Sequence, residues 1–139
     1  MNLKTPYPFW LMRNGFLKTY PACGNDLKTD VAVVGAGITG ALTAYMLAKA
    51  GLGVTVLEKR HPGMGSTAAS TALLQYELDQ PPHSLIEKSV RKRAKAAYRA
   101  CYEAIDSLSA IVAEESIEAD CAKVPSLQYV SYKQDVVRI

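Results

Sequence analysis

Residues Asp30 to Glu58 decide the fold. They open Asp-Val-Ala-Val-Val-Gly-Ala-Gly-Ile-Thr-Gly (30–40), pass through a helical stretch, and close on Val-Thr-Val-Leu-Glu (54–58). Val31–Val34 is an unbroken apolar run, which predicts a parallel strand buried on both faces. Gly35, Gly37 and Gly40 follow at the G-x-G-x-x-G spacing. Gly35 permits the tight turn off the strand. Gly37 lacks a Cβ, so a pyrophosphate can approach the backbone. Gly40 lets a helix pack close to the sheet. A helix starting at Gly40 points its free N–H groups and positive dipole end at the phosphates.

The rest of the unit follows the same logic. Ala41, Leu42, Ala44, Tyr45, Leu47 and Ala48 space an apolar helix face. Gly51 sits where the helix should end. Val54–Leu57 forms the second strand. Glu58 ends it, 18 residues past Gly40, where an acid accepts hydrogen bonds from a ribose 2′-hydroxyl. The expected fold class is α/β: a Rossmann-like βαβ dinucleotide-binding unit, a long helical region, and an incomplete sheet. Two other readings compete. Val31–Ala48 is 18 residues without a charge, the length at which a membrane span becomes a candidate. The glycine spacing and the strand that follows argue against it. The glycine turn could also serve packing alone.

Composition bounds the function. The 139 residues are 49% apolar, enough for one small buried core. A net charge of +3 is too small to imply a nucleic-acid partner. Arg91, Lys92, Arg93, Lys95 and Arg99 crowd one stretch, read as a solvated helix face in preference to a phosphate patch, because no aromatics interleave. Cys23, Cys101 and Cys121 show no metal or disulfide spacing, so no metal site is expected and a reducing cytoplasm is the expected setting. No signal peptide is evident. His61 and His83 lie among turn residues and read as loop positions.

The chain divides into a lead-in, residues 1–29, and a partial nucleotide-binding domain, residues 30–139. The lead-in is broken by Pro6, Pro8 and Pro21 and carries Tyr7, Phe9, Trp10, Phe16 and Tyr20. It is expected to drape across the domain with its aromatics as packing groups. Residues 60–72 form a second small-residue loop in which Gly63, Gly65, Ser66 and Thr67 offer flexible backbone and hydroxyls. This loop is expected to return to the mouth of the cofactor pocket, with an ordinary flexible loop as the alternative. A short helix is expected over Ala68–Leu74. Ser84 with Glu87 is a capping-box pattern. The long helix beyond it carries Ala94, Ala97, Tyr98, Cys101, Ile105, Leu108, Ile111 and Val112 as its core stripe. Leu127–Tyr132 alternates like a strand.

The fingerprint, Glu58 and the loop Gly-Met-Gly-Ser-Thr-Ala-Ala-Ser (63–70) resemble the N-terminal part of FAD-dependent oxidoreductases of the D-amino-acid oxidase and glycine oxidase family. The resemblance implies FAD as cofactor and oxidation of a C–N bond in a small amine or amino acid, with hydride passing to the flavin and oxygen usually reoxidising it. It places Gly35, Ala36, Gly37, Ile38, Thr39 and Gly40 at the pyrophosphate, and Glu58 with Lys59 at the adenosine ribose. Gly65, Ser66 and Thr67 fall by the phosphates or the flavin. Better-known members carry an Asn and further glycines where this chain has Ala68, Ala69 and Ser70. They are also much longer, so the chain reads as an N-terminal fragment. Its catalytic residues would lie elsewhere, and alone it is expected to be inactive and to self-associate through exposed apolar surface. An NAD(P)-linked dehydrogenase module and a non-catalytic nucleotide-binding remnant are the alternatives. Glu58 disfavours NADP, and the Ser-Thr loop favours FAD.

Overall fold

A computed structural model describes residues 7–16, 18–77, 85–87, 90–127 and 129. The chain separates into two compact units, Met1–Ala72 and Leu73–Ile139.

The first unit contains a short helix α1 (Phe9–Asn14), strand β1 (Val31–Val34), helix α2 (Ile38–Lys49), strand β2 (Val54–Leu57) and a single 3-10 turn (Thr67–Ala69). The strands pair in parallel, with Val31 opposite Val54 and Val34 opposite Leu57. Parallel neighbours require a crossover, and α2 supplies it while packing on both strands.

The edge of this unit is clamped at Gly53. Asp30 and Val31 donate their N–H groups to the Gly53 carbonyl, and the Gly53 N–H donates to Asp30 Oδ2 at 2.8 Å. The Thr29 hydroxyl donates to the same carbonyl at 2.7 Å. Helix α2 ends in a Schellman motif. Gly51, at φ +86°, donates to Ala48, and Leu52 donates to Leu47. The glycine at position 51 is thus required by its left-handed backbone.

Three expectations are corrected. Helix α2 begins at Ile38, not Gly40, because Gly37 is extended and its carbonyl accepts the Ala41 N–H, closing the first turn. Strand β1 is not buried on both faces. Val31 and Val33 are half-buried, whereas Ala32 is exposed and Val34 is 85% exposed. Among the described residues the sheet has two strands, and α2 packs on both of them. The helix expected over Ala68–Leu74 is one 3-10 turn at Thr67–Ala69, after which the backbone extends at Ser70.

The second unit is built on a 24-residue helix α3 (Arg91–Glu114). The apolar stripe is its protected face: Ala94 is buried, and Ala97, Tyr98, Cys101, Ile105, Leu108, Ile111 and Val112 are half-buried. Arg91, Lys92, Arg93, Lys95 and Arg99 are all exposed, and Arg99 pairs with Glu103 one turn on at 2.7 Å. Such exposed pairs contribute little. Flanking segments lie along the helix through Tyr76 edge-on to Tyr102 and Lys123 on Asp106 at 2.7 Å. The Ser84 half of the capping box, His83, and residues 128 and 130–132 of the alternating run lie outside the described residues. Leu127 and Tyr129 are exposed and in no strand.

Candidate functional site

The turn between β1 and α2 makes hydrogen bonds with the end of β2 and with the second loop. Gly35 sits at φ +100°, a conformation that penalises any side chain. Its N–H donates to the Leu57 carbonyl at 2.7 Å, extending the sheet ladder into the turn. A Cβ on Gly40 would fall directly on the Gly35 carbonyl oxygen. That is why α2 can lie this close to the turn.

Glu58 faces the same turn from the end of β2. Its Oε2 accepts the Ala36 N–H at 2.8 Å and its Oε1 accepts the Arg60 N–H at 3.0 Å. The Ala36 bond first, then the Arg60 bond, favour the ionised form and hold the carboxyl below the ordinary carboxylate range. The Arg60 charge and the Lys59 N–H act in the same direction, and slight desolvation opposes them. An ionised carboxylate has about four lone-pair sites, so Glu58 retains capacity for further donors.

The second loop closes over the turn from the other side. The Gly63 N–H donates to the Ala36 carbonyl at 2.8 Å. The Ile38 N–H, first in α2, donates to Thr67 Oγ1 at 3.1 Å, and a Cβ on Gly37 would stand 3.2 Å from that oxygen. Gly65 is at φ +104°, with the Arg60 guanidinium against it. Thus Gly35, Ala36, Gly37, Ile38, Gly40, Glu58, Gly65 and Thr67 converge on one place. Thr39, Lys59 and Ser66 are exposed beside it.

The donor set fits a pyrophosphate. The first N–H groups of a helix have no intrahelical acceptor. Those of Thr39 and Gly40 have none among the described residues, and the helix dipole favours an anion there. A side chain at Gly37 would crowd the Thr67 hydroxyl beside this turn.

Ala36, which the resemblance places at the pyrophosphate, joins the site by both its N–H and its carbonyl. One feature escaped the reading of the sequence: the Thr29–Asp30–Gly53 clamp has no motif. Its local signal was an acid immediately before the strand. No group of three or more His, Cys, Asp or Glu side chains among the described residues is arranged to hold a metal. No helix among them is long and apolar enough to cross a membrane.

The sequence model of the FAD dependent oxidoreductase (DAO) family matches residues 30–138, and the chain belongs to that family. Its cofactor is therefore FAD. A Bacillus subtilis (strain 168) protein with the provisional name Rieske 2Fe-2S iron-sulfur protein YhfW is 30% identical over 136 residues, covering 98% of this chain and 26% of the relative. The uncharacterized oxidoreductase YurR of the same organism is 55% identical over 38 residues, 27% of this chain and 10% of its own. The tRNA 5-methylaminomethyl-2-thiouridine biosynthesis bifunctional protein MnmC of Psychrobacter cryohalolentis is 41% identical over 63 residues, 45% of this chain and 9% of its own. The chain thus spans about a quarter or less of the length of these relatives. No solved structure gives a significant match.

Proposed function

We propose that these residues hold the ADP half of FAD in an oxidoreductase that oxidises a C–N bond of a small amine or amino acid. Bound FAD supplies the hydride acceptor. The chain's own residues bind and orient. The first turn of α2 and the turn Gly35–Gly40 take the pyrophosphate. Glu58, with Lys59 beside it, accepts the adenosine ribose hydroxyls. Gly65, Ser66 and Thr67 cover the phosphates on the side toward the flavin. The observation that carries this reading is the convergence of Glu58 and Thr67 on N–H groups two residues apart, Ala36 and Ile38.

The acceptor of the electrons has two readings. Oxygen is the acceptor implied by resemblance to amino-acid oxidases. The iron–sulfur name of the YhfW relative, which matches nearly the whole of this chain, favours an iron–sulfur centre instead.

The test is direct. The protein is titrated with FAD, NAD and NADP, and flavin fluorescence and thermal stabilisation are recorded. FAD alone should bind. A panel of amines and amino acids is then offered with oxygen or with an artificial one-electron acceptor. Peroxide formed in proportion to substrate supports oxygen as acceptor. Turnover confined to the one-electron acceptor supports the iron–sulfur reading. Stabilisation by NAD and not by FAD would overturn the proposal.

A further inference from the structure

The aromatic lead-in is fastened to the second loop at both ends of that loop. Trp10, in α1, donates its indole Nε1–H to the Ser70 carbonyl at 2.8 Å, across 60 residues of sequence. The Phe16 ring lies against His61, with centroids 4.5 Å apart. The Trp10 ring is itself positioned by Phe9 edge-on at 5.0 Å and the Arg13 guanidinium 5.8 Å above it. Between these two anchors the loop makes its two bonds to the glycine turn, Gly63 to Ala36 and Ile38 to Thr67. The loop is thus held from outside by the lead-in and reaches inward to the helix terminus.

The physical need for such a fastening is plain. Residues 61–70 contain two glycines at positive φ, Gly63 and Gly65. Glycines give up more backbone freedom than any other residue when ordered. A loop of this kind pays ordering entropy on binding unless something has already ordered it. Two contacts at its ends shorten the free segment and fix where Thr67 stands.

We infer that the lead-in is a positioning element of the cofactor site: Trp10 and Phe16 hold the 61–70 loop closed on the first turn of α2 and so set FAD affinity without touching the cofactor. This rests on the reading of that turn as the pyrophosphate site. The contact from Trp10 is one neutral hydrogen bond, so its loss should weaken FAD by about two- to tenfold.

The experiment uses the full chain and three variants: Trp10→Phe, which keeps a ring and removes the donor, Phe16→Leu, and Gly37→Val. FAD affinity is measured by flavin fluorescence, and amide hydrogen exchange is followed segment by segment. Trp10→Phe and Phe16→Leu should weaken FAD and speed exchange across residues 61–70, with α2 and the two strands protected as before. A merely structural role would loosen all of them together, and that result overturns the inference. Unchanged FAD affinity in both lead-in variants, with Gly37→Val abolishing binding, overturns the inference and leaves the pyrophosphate site standing. Unchanged affinity in Gly37→Val removes the site reading and the inference with it. Trp10 is the single tryptophan of the chain, so its emission offers a check without mutation. FAD should quench it by energy transfer, and emission insensitive to bound FAD would count against the inference.

Discussion

The Glu58 carboxylate crosses from the end of β2 to accept the Ala36 N–H at 2.8 Å. An acid from one strand thereby fixes the turn that leaves the other. This one bond joins the end of β2 to the glycine turn that leads into α2.

The first prediction follows from that bond. Glu58→Gln keeps the size of the side chain but replaces one acceptor oxygen with a donor nitrogen. It cannot satisfy the Ala36 and Arg60 N–H groups together. FAD affinity should fall by about tenfold or more, since hydrogen bonds to a charged partner are the strong ones. Isothermal titration checks it. Wild-type affinity in the variant would show that the carboxylate is dispensable.

The same group sets a pH dependence. Its carboxyl is held below the ordinary carboxylate range by the Ala36 and Arg60 N–H groups. A depressed pKa stabilises the folded turn fully above the unfolded carboxyl's pKa, about 4.3 for a free Glu, and the contribution is lost as pH falls through the lower folded value. Thermal stability of the wild type should therefore decline below about pH 4.5 more steeply than that of Glu58→Gln. Parallel acid profiles for the two proteins would contradict this.

Gly40 and Gly37 should separate stability from binding. An alanine at position 40 drives its methyl into the Gly35 carbonyl, which is backbone and cannot rotate aside. The gain in helix propensity, up to about 1 kcal/mol, is smaller than the usual cost of overpacking, about 1–3 kcal/mol. Gly40→Ala should lower the melting temperature with or without FAD. Gly37→Ala meets a movable side-chain oxygen, Thr67 Oγ1 at 3.2 Å. It should melt close to the wild type and bind FAD poorly.

Gly51→Ala tests the helix end. The residue sits at φ +86° in the Schellman motif, and a Cβ there meets no neighbouring atom. The cost is conformational alone, roughly 1–2 kcal/mol. Denaturant unfolding should show that loss with an unchanged slope. A variant as stable as the wild type would mean the helix end rearranges freely.

Much of the site was legible in the chain because its causes are local. Three glycines at fixed spacing dictate a turn and a close helix whatever surrounds them. A β-branched, largely apolar tetrad on either side dictates strands, and Gly51 dictates where α2 stops. The stripe from Ala94 to Val112 has helical period, and helical period puts it on one face. These are consequences of backbone geometry within a few residues.

What only the tertiary structure decided is which distant groups meet. Nothing in the sequence spacing ties Trp10 to Ser70, Gly63 to Ala36, or the Thr67 hydroxyl to the first N–H of α2, because each contact joins segments through the path of the chain in space. Burial is decided the same way. Val34 reads as a core residue and stands exposed, since exposure depends on which neighbours the sheet has, and among the described residues β1 pairs with β2 alone. The sequence alone determined the tight glycine turn after β1, because hard-sphere limits on φ act residue by residue. The closure of the second loop over that turn belongs to the tertiary structure, because it depends on hydrogen bonds between residues that only folding brings within reach.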